Sequence, residues 1–286
     1  MTSQLFDARR FKDDQRVNWD GVSAGWGKVA EIFERGGASV SERLLELAGV
    51  RVGQSILDVG TGHGELALSA AERVGPVGRV VGIDLSPAMV EAARARATAL
   101  SQAEFMTADA DSIDMTPGSF DVVLSRWGLM FVTDQVAALT GLRRLLRPGG
   151  TLAAAVWGPP ESVPMLGAGY AVLAQRLNLP GPPPGQPGPF SMSDSGQLAE
   201  TLAKAGFTDV SVTEFVVPFR LRDAREYTVF NQSVAPPRLL KMLRDRYGSE
   251  DDPDTWRAVA TAAEPYARSD GGFWLDSTAL CIRAVA

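Results

Sequence analysis

The sequence predicts an α/β fold in which parallel strands and helices alternate around a doubly wound sheet. Two apolar runs, Ile56–Val59 and Val80–Ile83, flank a helix-length segment, Glu65–Val74. Strand, helix and strand in this order form a βαβ unit. A further run, Phe120–Leu124, is almost wholly apolar, as a parallel strand buried on both faces should be.

A glycine-rich turn joins the first of these strands to its helix. Gly60, Gly62 and Gly64 follow Asp58, and without a Cβ they let a ligand approach the backbone N–H groups closely. Asp84 follows the second strand, where a carboxylate can bind the hydroxyls of a ribose. The two features together predict a ligand that contains adenosine, whereas the turn alone is also compatible with a simple tight connection.

The residues around the turn distinguish between two classes of adenosine ligand. In a dinucleotide fingerprint, G-x-G-x-x-G, the third glycine would fall at the position of Glu65. Asp58 opposes a pyrophosphate but suits a ligand that carries a positive charge. S-adenosylmethionine has a sulfonium, an ammonium and no phosphate, so the sequence predicts S-adenosylmethionine as the cofactor.

Five segments carry a resemblance to a known family, in the family's order: Leu57–Gly64, Gly82–Met89, Ala108–Ala110, Ser119–Ser125 and Leu145–Leu152. Residues 55–157 resemble the core of class I S-adenosylmethionine-dependent methyltransferases, and in particular the ubiquinone/menaquinone-biosynthesis-type small-molecule methyltransferases. The resemblance implies a Rossmann-like, seven-stranded, doubly wound sheet. Insertions after strands five and six would then form a helical cap.

The expected organisation of the chain divides it into six parts. These are an N-terminal lid helix (1–35), the S-adenosylmethionine-binding core (36–158), a proline-rich cap insertion (159–192), a core helix with strand six (193–222), a helical cap insertion (223–270) and the final core strand (271–286). A capping box at Ser39–Glu42 predicts a separate helix there. Strand six is expected at Ser211–Phe219, a cap helix at Pro253–Arg268 and the last strand at Phe273–Val285. Nine prolines between residues 159 and 189 exclude a regular sheet in that segment and favour a packed loop over the site.

The candidate cofactor-binding residues lie in and around these motifs. They are Trp26, Asp58, Gly60, Gly62, Asp84, Leu85, Met89, Asp109, Ala110 and Ser125. The Asp109 carboxylate and the Ala110 N–H can recognise the amine and a ring nitrogen of adenine, whereas the neighbouring Asp111 is expected to be solvated. By the resemblance, Trp26 of the lid helix would face the cofactor, and Met89 would pack on the adenine; packing within the protein is the alternative for both.

Two further sites follow from position and chemistry. Arg126 and Trp127 leave the carboxyl end of strand four, where open α/β sheets bind ligands, so both are candidates for substrate contact. His63 is the single histidine and the side chain with an ordinary pKa near neutrality. We therefore consider it a candidate catalytic residue that orients or deprotonates the acceptor; a solvent-facing loop residue is the alternative.

Composition narrows the possible partners. The chain has 286 residues and a net charge of −6, which disfavours nucleic acid as a substrate. One cysteine and one histidine argue against an internal disulfide and against a thiolate or histidine metal site. No apolar run is long enough to span a bilayer, so we expect a cytoplasmic protein, while its oligomeric state remains open.

The function predicted from these observations is methyl transfer from S-adenosylmethionine to the O, N or C atom of a small, apolar or aromatic molecule. A non-methylating cyclase of specialised metabolism on the same fold is the alternative. A nicotinamide-dependent oxidoreductase is disfavoured by Asp58 and Glu65, and a pure cofactor-sensing module would leave the cap without a purpose.

Overall fold

A computed structural model describes residues 6–181, 185–269 and 271–286 of the chain. Its strands are β1 Ser55–Val59, β2 Arg79–Asp84, β3 Ala103–Thr107, β4 Phe120–Arg126, β5 Leu146–Trp157, β6 Thr208–Val217, β7 Arg220–Leu221, β8 Phe273–Trp274 and β9 Ser277–Val285. Its helices are α1 Ala8–Leu47, α2 Glu65–Val74, α3 Pro87–Arg96, α4 Gln135–Leu145, α5 Pro164–Leu177, α6 Ser195–Lys204, α7 Ala224–Val234, α8 Pro237–Tyr247 and α9 Pro253–Ala262.

Seven of the described strands form one mixed sheet in the order β3-β2-β1-β4-β5-β9-β6. The strands β1 to β5 pair in parallel, and β9 is antiparallel to both β5 and β6. The order of the strands reverses between β1 and β4, which is where open α/β sheets leave a crevice at their carboxyl ends. The predicted seven-stranded, Rossmann-like fold is confirmed.

The sheet core is built from the apolar runs of the sequence. Side chains of β1 and β4, such as Ile56, Leu57, Val123 and Leu124, are fully buried because helices cover both faces of the sheet. Helices α3, α4 and α6 begin at polar side-chain caps. At α3, for example, Ser86 accepts a hydrogen bond from the Met89 N–H at 3.1 Å.

Helix α1 runs without a break through the predicted boundary at residues 35 and 36, so the separate helix expected at Ser39–Glu42 is wrong. The paired glycines Gly36 and Gly37 are helical and buried. A Cβ on Gly36 would lie 2.8 Å from Cδ1 of Phe219, and one on Gly37 would lie 3.3 Å from the Arg126 guanidinium. The glycines therefore allow a close approach of α1 to the sheet and do not end the helix.

The helices outside the sheet pack together as a cap. Helix α5 contacts α7, α8 and α9, and α7 also contacts α1. Buried side chains of this layer include Leu173, Tyr227, Phe230, Leu243 and Val259. None of the helices within the described ranges is both long and apolar enough to cross a membrane.

Three predicted boundaries are wrong, and proline explains two of them. Strand six begins at Thr208 and ends at Val217, because Pro218 has no N–H to continue the ladder. Helix α9 ends at Ala262, shortly before Pro265, since the residue before a proline is disfavoured in a helix.

The third correction concerns the end of the chain. The expected strand Phe273–Val285 is divided: β8 pairs with β7 in a separate ribbon, and β9 alone joins the large sheet. Of the proline-rich loop, Pro182, Pro183 and Pro184 lie outside the described residues.

Candidate active site

A cavity of about 490 Å³ lies at the carboxyl ends of β1, β2 and β4, below α1 and the cap. Its lining comes from α1, from the turn after β1, from the ends of β2, β3 and β4, and from α5 and α7. Pro189 and Phe190 of the proline-rich loop also line it. This loop is fastened to the site because the Gly188 N–H and the Ser191 hydroxyl both donate to the carbonyl of Met130.

The glycine-rich turn forms the floor of one end of the cavity. Gly60, Gly62 and Gly64 have φ values of 70°, 54° and 85°, which non-glycine residues rarely adopt. The backbone N–H groups of Gly60 and Thr61 both donate to the carbonyl of Ile83 at 2.9 Å. A Cβ on Gly60 would lie 2.8 Å from Cα of Gly128, so this glycine is required for the turn to pack on the loop after β4.

Asp58 is the most unusual group in the cavity. Its carboxylate is 1% exposed, and Oδ2 accepts a hydrogen bond from the Thr61 hydroxyl at 2.7 Å. The other oxygen, Oδ1, has no hydrogen-bond partner among the described residues. Burial raises the pKa of the Asp58 carboxyl from 3.8 to about 7, because an ionised group without a cation is costly to bury.

Asp84 lies at the neighbouring strand end and lines the same part of the cavity. Its carboxylate accepts hydrogen bonds from the backbone N–H groups of Gly62 and Ser86, each at 2.9 Å. Burial raises the pKa of Asp84, and these two N–H donors oppose that effect. The carboxylate is thus fixed in place beside the glycine-rich turn.

A third group of predicted residues lines the cavity beyond β2 and β3: Leu85, Met89, Asp109 and Ala110. Here α1 supplies a residue that the sequence analysis missed. The Lys12 ammonium lies 2.7 Å from Oδ1 of Asp109 and 2.9 Å from Oδ2 of Asp111.

The expectation that Asp111 is solvated is wrong, because its carboxylate has two sets of partners. Besides Lys12, it accepts hydrogen bonds from the backbone N–H and the hydroxyl of Thr133. Asp111 therefore joins α1 to the loop that precedes α4.

Helix α1 forms the roof of the cavity. Lys12, Trp19, Val22, Trp26 and Phe33 line the cavity, and their spacing places them along one side of the helix. Extending the helical period of the tryptophans toward the N-terminus would have identified Lys12. Asp20 ties the roof to the wall of the site, because its Oδ1 accepts hydrogen bonds from the Ser86 hydroxyl and the Ala88 N–H.

Arg126 lines the cavity, but its guanidinium is occupied by α1. It donates to both carboxylate oxygens of Glu34, at 2.9 and 2.7 Å, to the Gly37 carbonyl at 3.0 Å and to the Ser41 hydroxyl at 2.9 Å. Oε2 of Glu65 lies 3.9 Å away. Arg126 therefore anchors β4 to helix α1, the roof of the cavity.

Trp127 also lines the cavity and has two unusual features. Its φ of 62° is in the left-handed region, where a bulky residue is an outlier. Its Nε1 is buried and has no hydrogen-bond partner among the described residues. The indole is stacked on Trp157, with ring centroids 4.3 Å apart and planes 15° apart, and Phe33 meets it edge-on at 5.0 Å.

Four aromatic residues, Phe33, Trp127, Trp157 and Phe230, form what we term the aromatic wall of the cavity. Phe33 and Phe230 are nearly parallel, with centroids 5.9 Å apart, and Trp26 packs against both. Trp157 and Phe230 were not among the predicted site residues. Trp157 ends strand β5, so the rule that ligands bind at carboxyl ends of strands could have found it.

Two predicted site residues do not line the cavity. Ser125 is fully buried, and its hydroxyl donates to the Val59 carbonyl at 2.7 Å, so it joins β4 to β1 below the turn. His63 is 6% exposed, and its Nε2 lies 3.0 Å from the Ser23 hydroxyl of α1. Burial lowers the pKa of His63. The structure thus places His63 outside the cavity lining and away from solvent, behind the turn and against the roof.

Comparison with known proteins finds similarity to methyltransferases. Residues 56–150 match the family model described as a methyltransferase domain. The chain is 32% identical over 160 residues to the ubiquinone/menaquinone biosynthesis C-methyltransferase UbiE of Hahella chejuensis, covering 54% of this chain and 64% of that protein. It is 37% identical over 142 residues to the nocamycin O-methyltransferase of Saccharothrix syringae, covering 48% and 51% respectively. The matched segments thus span about half to two thirds of these relatives.

A solved structure extends the likeness over most of the chain. The [4+2]-cyclase SpnF aligns with a TM-score of 0.52 and 21% identity, covering 86% of this chain and 79% of that chain. At this identity the likeness concerns the fold alone.

Proposed function

We propose that residues 56–150, which match a methyltransferase domain, bind S-adenosylmethionine, and that the protein transfers a methyl group from this cofactor to a small, apolar or aromatic molecule. When bound, this cofactor supplies an electrophilic methyl group on a sulfonium. The protein then has to hold the cofactor, align the acceptor and exclude water.

The unpaired oxygen of Asp58 is the observation that carries the proposal. A buried carboxylate needs a cation or several hydrogen-bond donors, and Thr61 supplies one donor only to Oδ2. The ammonium of S-adenosylmethionine is such a cation, whereas the pyrophosphate of a dinucleotide would add negative charge beside Asp58 and Asp84. The residues present therefore fit the sulfonium cofactor.

The remaining residues at this end of the cavity suit the other parts of the same molecule. Asp84 is fixed by two backbone N–H groups and is assigned to the ribose hydroxyls. Asp109 and Ala110 are assigned to the adenine edge, and Leu85 and Met89 to its apolar faces. Ser125 is assigned a positioning role below the turn, and Trp26 is assigned to the roof beside the aromatic wall.

The other end of the cavity suits an apolar acceptor. The aromatic wall offers flat apolar surface, and Leu166 and Leu173 of the cap line the same cavity. The two relatives are named as a C-methyltransferase of ubiquinone/menaquinone biosynthesis and a nocamycin O-methyltransferase, which supports a small-molecule acceptor. The acidic net charge of −6 supports a small molecule over nucleic acid.

The proposal is tested by incubating the protein with S-adenosylmethionine labelled in the methyl group and a panel of hydroxylated aromatic compounds. Release of S-adenosylhomocysteine together with a labelled product is the expected result. Conversion of an acceptor without release of S-adenosylhomocysteine would favour the cyclase alternative. A protein that does not bind S-adenosylhomocysteine in calorimetry would contradict both.

A further inference from the structure

We propose that the methyl acceptor is a flat molecule with an acidic hydroxyl group, that it binds as its oxyanion, and that the indole N–H of Trp127 donates a hydrogen bond to this oxygen. The inference rests on the proposed function, because it assigns the acceptor of the same cavity. Three observations carry it: an unpaired buried donor, a strained backbone that holds this donor in place, and the absence of a free base among the described residues that line the cavity.

The unpaired donor is Nε1 of Trp127. Nearly all buried N–H groups in proteins have a hydrogen-bond partner, so each exception calls for an explanation. Within the described part of the chain nothing accepts from this indole, although the residue lines the cavity. An oxygen of a bound acceptor would supply the missing partner, and an ionised oxygen would supply a stronger one.

The backbone and the neighbouring rings fix the position of this donor. Trp127 has a φ of 62°, a conformation that persists only where the surrounding structure enforces it and that clusters at functional sites. The stack on Trp157 and the edge contact with Phe33 hold the indole from two sides. A donor held in this way is preorganised, so it loses little freedom when an acceptor binds.

Trp127 lies between the glycine-rich turn at the cofactor end of the cavity and the aromatic wall at the acceptor end. The next residue, Gly128, packs against the glycine-rich turn, since a Cβ on Gly128 would lie 2.6 Å from the Val59 carbonyl and 3.0 Å from Cα of Gly60. Trp127 itself belongs to the aromatic wall. A hydroxyl bound at the indole would therefore lie at the boundary between the cofactor end and the acceptor end.

The titratable side chains that line the cavity, within the described residues, are Lys12, Asp58, Glu65, Asp84, Asp109, Arg126 and Tyr170. Four of them, Lys12, Asp109, Glu65 and Arg126, are already committed to ion pairs. Lys12 pairs with Asp109, Glu65 pairs with Arg96, and Arg126 pairs with Glu34.

The remaining titratable side chains of the lining are the carboxylates of Asp58 and Asp84 and the phenol of Tyr170. Asp84 is held by backbone N–H groups, and the free oxygen of Asp58 is assigned to the ammonium of the cofactor. Tyr170 of α5 is 46% exposed, at the rim of the cavity rather than inside it. No lining side chain of the described chain is thus left to remove a proton, so the acceptor must lose its proton to water and bind as an anion.

The transfer then balances without a protein base. A lone pair of the oxyanion forms the new O–C bond to the methyl carbon, and the C–S bond breaks with its electrons on sulfur. The products are a neutral methyl ether and neutral S-adenosylhomocysteine. The ether oxygen has lost its charge and accepts a weaker hydrogen bond from Trp127, which favours release of the product.

The test uses the full chain saturated with S-adenosylhomocysteine and two coloured probes, 4-nitrophenol and 4-nitro-1-naphthol, whose anions absorb visible light. Their methyl ethers serve as analogues that cannot ionise. Calorimetry with S-adenosylhomocysteine alone comes first: a protein that fails to bind it refutes the proposed function, whereas the following outcomes concern this inference only.

The expected result is that at least one probe binds as its anion at a pH one unit below its solution pKa. Calorimetry in two buffers of different ionisation heat should show about one proton released per bound probe. Trp127→Phe keeps an aromatic ring but removes the N–H, and we expect it to bind the anion about ten-fold more weakly, the lower end for a hydrogen bond to a charged group. Its affinity for the methyl ether should remain within about two-fold.

Two control variants separate the indole from its surroundings. Trp274→Phe makes the same change at a residue that is 41% exposed and outside the cavity, and it should bind the anion like the wild type. Tyr170→Phe should release the same number of protons as the wild type.

Four results would overturn the inference. They are no binding of either probe to the S-adenosylhomocysteine complex, preference for the neutral probe, unchanged anion affinity in Trp127→Phe, and anion binding without proton release, which would reveal a protein base. A Trp127→Phe protein that no longer binds S-adenosylhomocysteine would be replaced by Trp127→Leu, which also lacks the N–H and is judged by the change in its anion affinity relative to its affinity for the methyl ether.

Discussion

Replacement of Asp58 by asparagine removes the charge that the cofactor's ammonium is proposed to need. The substitution keeps the shape of the side chain and leaves the Thr61 hydroxyl a partner. A hydrogen bond between charged groups contributes about 1.5–3 kcal/mol, so the dissociation constant for S-adenosylhomocysteine should rise about 10- to 150-fold at pH 8. Calorimetry measures this ratio directly.

The ratio should also depend on pH in a defined direction. Burial raises the pKa of Asp58 to about 7, so below this pH the carboxyl of the free protein is neutral and binds the ammonium less well. The advantage of the wild type over Asp58→Asn should therefore grow as the pH rises through about 7 and then level off. Because the ligand's own amino group titrates equally with both proteins, the ratio of the two constants isolates the carboxyl of Asp58.

The same shift predicts an effect on stability in the absence of ligand. A carboxyl whose pKa rises on folding stabilises the protein fully below its unfolded value of 3.8, and this contribution is lost as the pH rises through about 7. The difference corresponds to about 4 kcal/mol. Asp58→Asn should thus be the more stable protein at pH 8 in urea denaturation, and the gain should disappear near pH 4. Equal affinities at pH 8, or a ratio that is flat across pH 7, would refute the assignment of Asp58.

Three further predictions concern the roof and its attachments. Gly36→Ala should destabilise the protein by about 1–3 kcal/mol, because its Cβ meets Phe219 at 2.8 Å. The control Gly141→Ala lies in a helix with open space around it and should stabilise the protein by up to about 1 kcal/mol. Urea denaturation measures both changes, and equal effects would contradict the packing argument. Lys12→Ala removes the ammonium that pairs with both Asp109 and Asp111. Hydrogen exchange should therefore become faster in the first turns of α1 while exchange in the sheet stays the same. Unchanged exchange would show that these ion pairs do not hold the roof. Burial lowers the pKa of His63 from 6.5, so its contribution to stability is present above pH 6.5 and is lost as the pH falls. His63→Asn should therefore lose less stability than the wild type between pH 7.5 and 5.5 in urea denaturation. An identical loss in the two proteins would argue against a buried neutral imidazole.

The parts of the site that one short segment encodes could be predicted from the sequence. Asp58 lies in β1 just before the turn that holds Gly60 and Gly62, and Asp84 ends the neighbouring strand, so their meeting follows from the βαβ topology alone. The structure places all four at the cavity. The same local reasoning identified helix α2 with the bounds that the structure shows.

The roles that depend on distant partners could not be predicted. Arg126 meets Glu34 across 92 residues of sequence, Lys12 meets Asp109 across 97, and His63 meets Ser23 across 40. The helical periodicity of a sequence does not show which face of the helix will lie over which strand end. This is why Arg126 and His63 were predicted to contact the substrate, whereas in the structure both side chains bind to residues of α1.

The glycine pair in α1 shows the same limit for the fold. Two adjacent glycines before a capping box indicate a helix boundary when only local propensity is considered. Their actual use is steric, because Phe219 and Arg126 come within reach of α1 from strand ends far along the chain. Tertiary packing overrides the local signal.

A crystal structure of the protein with S-adenosylhomocysteine tests the central assignment most directly. The account predicts the ligand's ammonium within about 3 Å of the free oxygen of Asp58 and its ribose hydroxyls at the same distance from Asp84. A ligand bound elsewhere, or one whose ribose rather than ammonium meets Asp58, would contradict it.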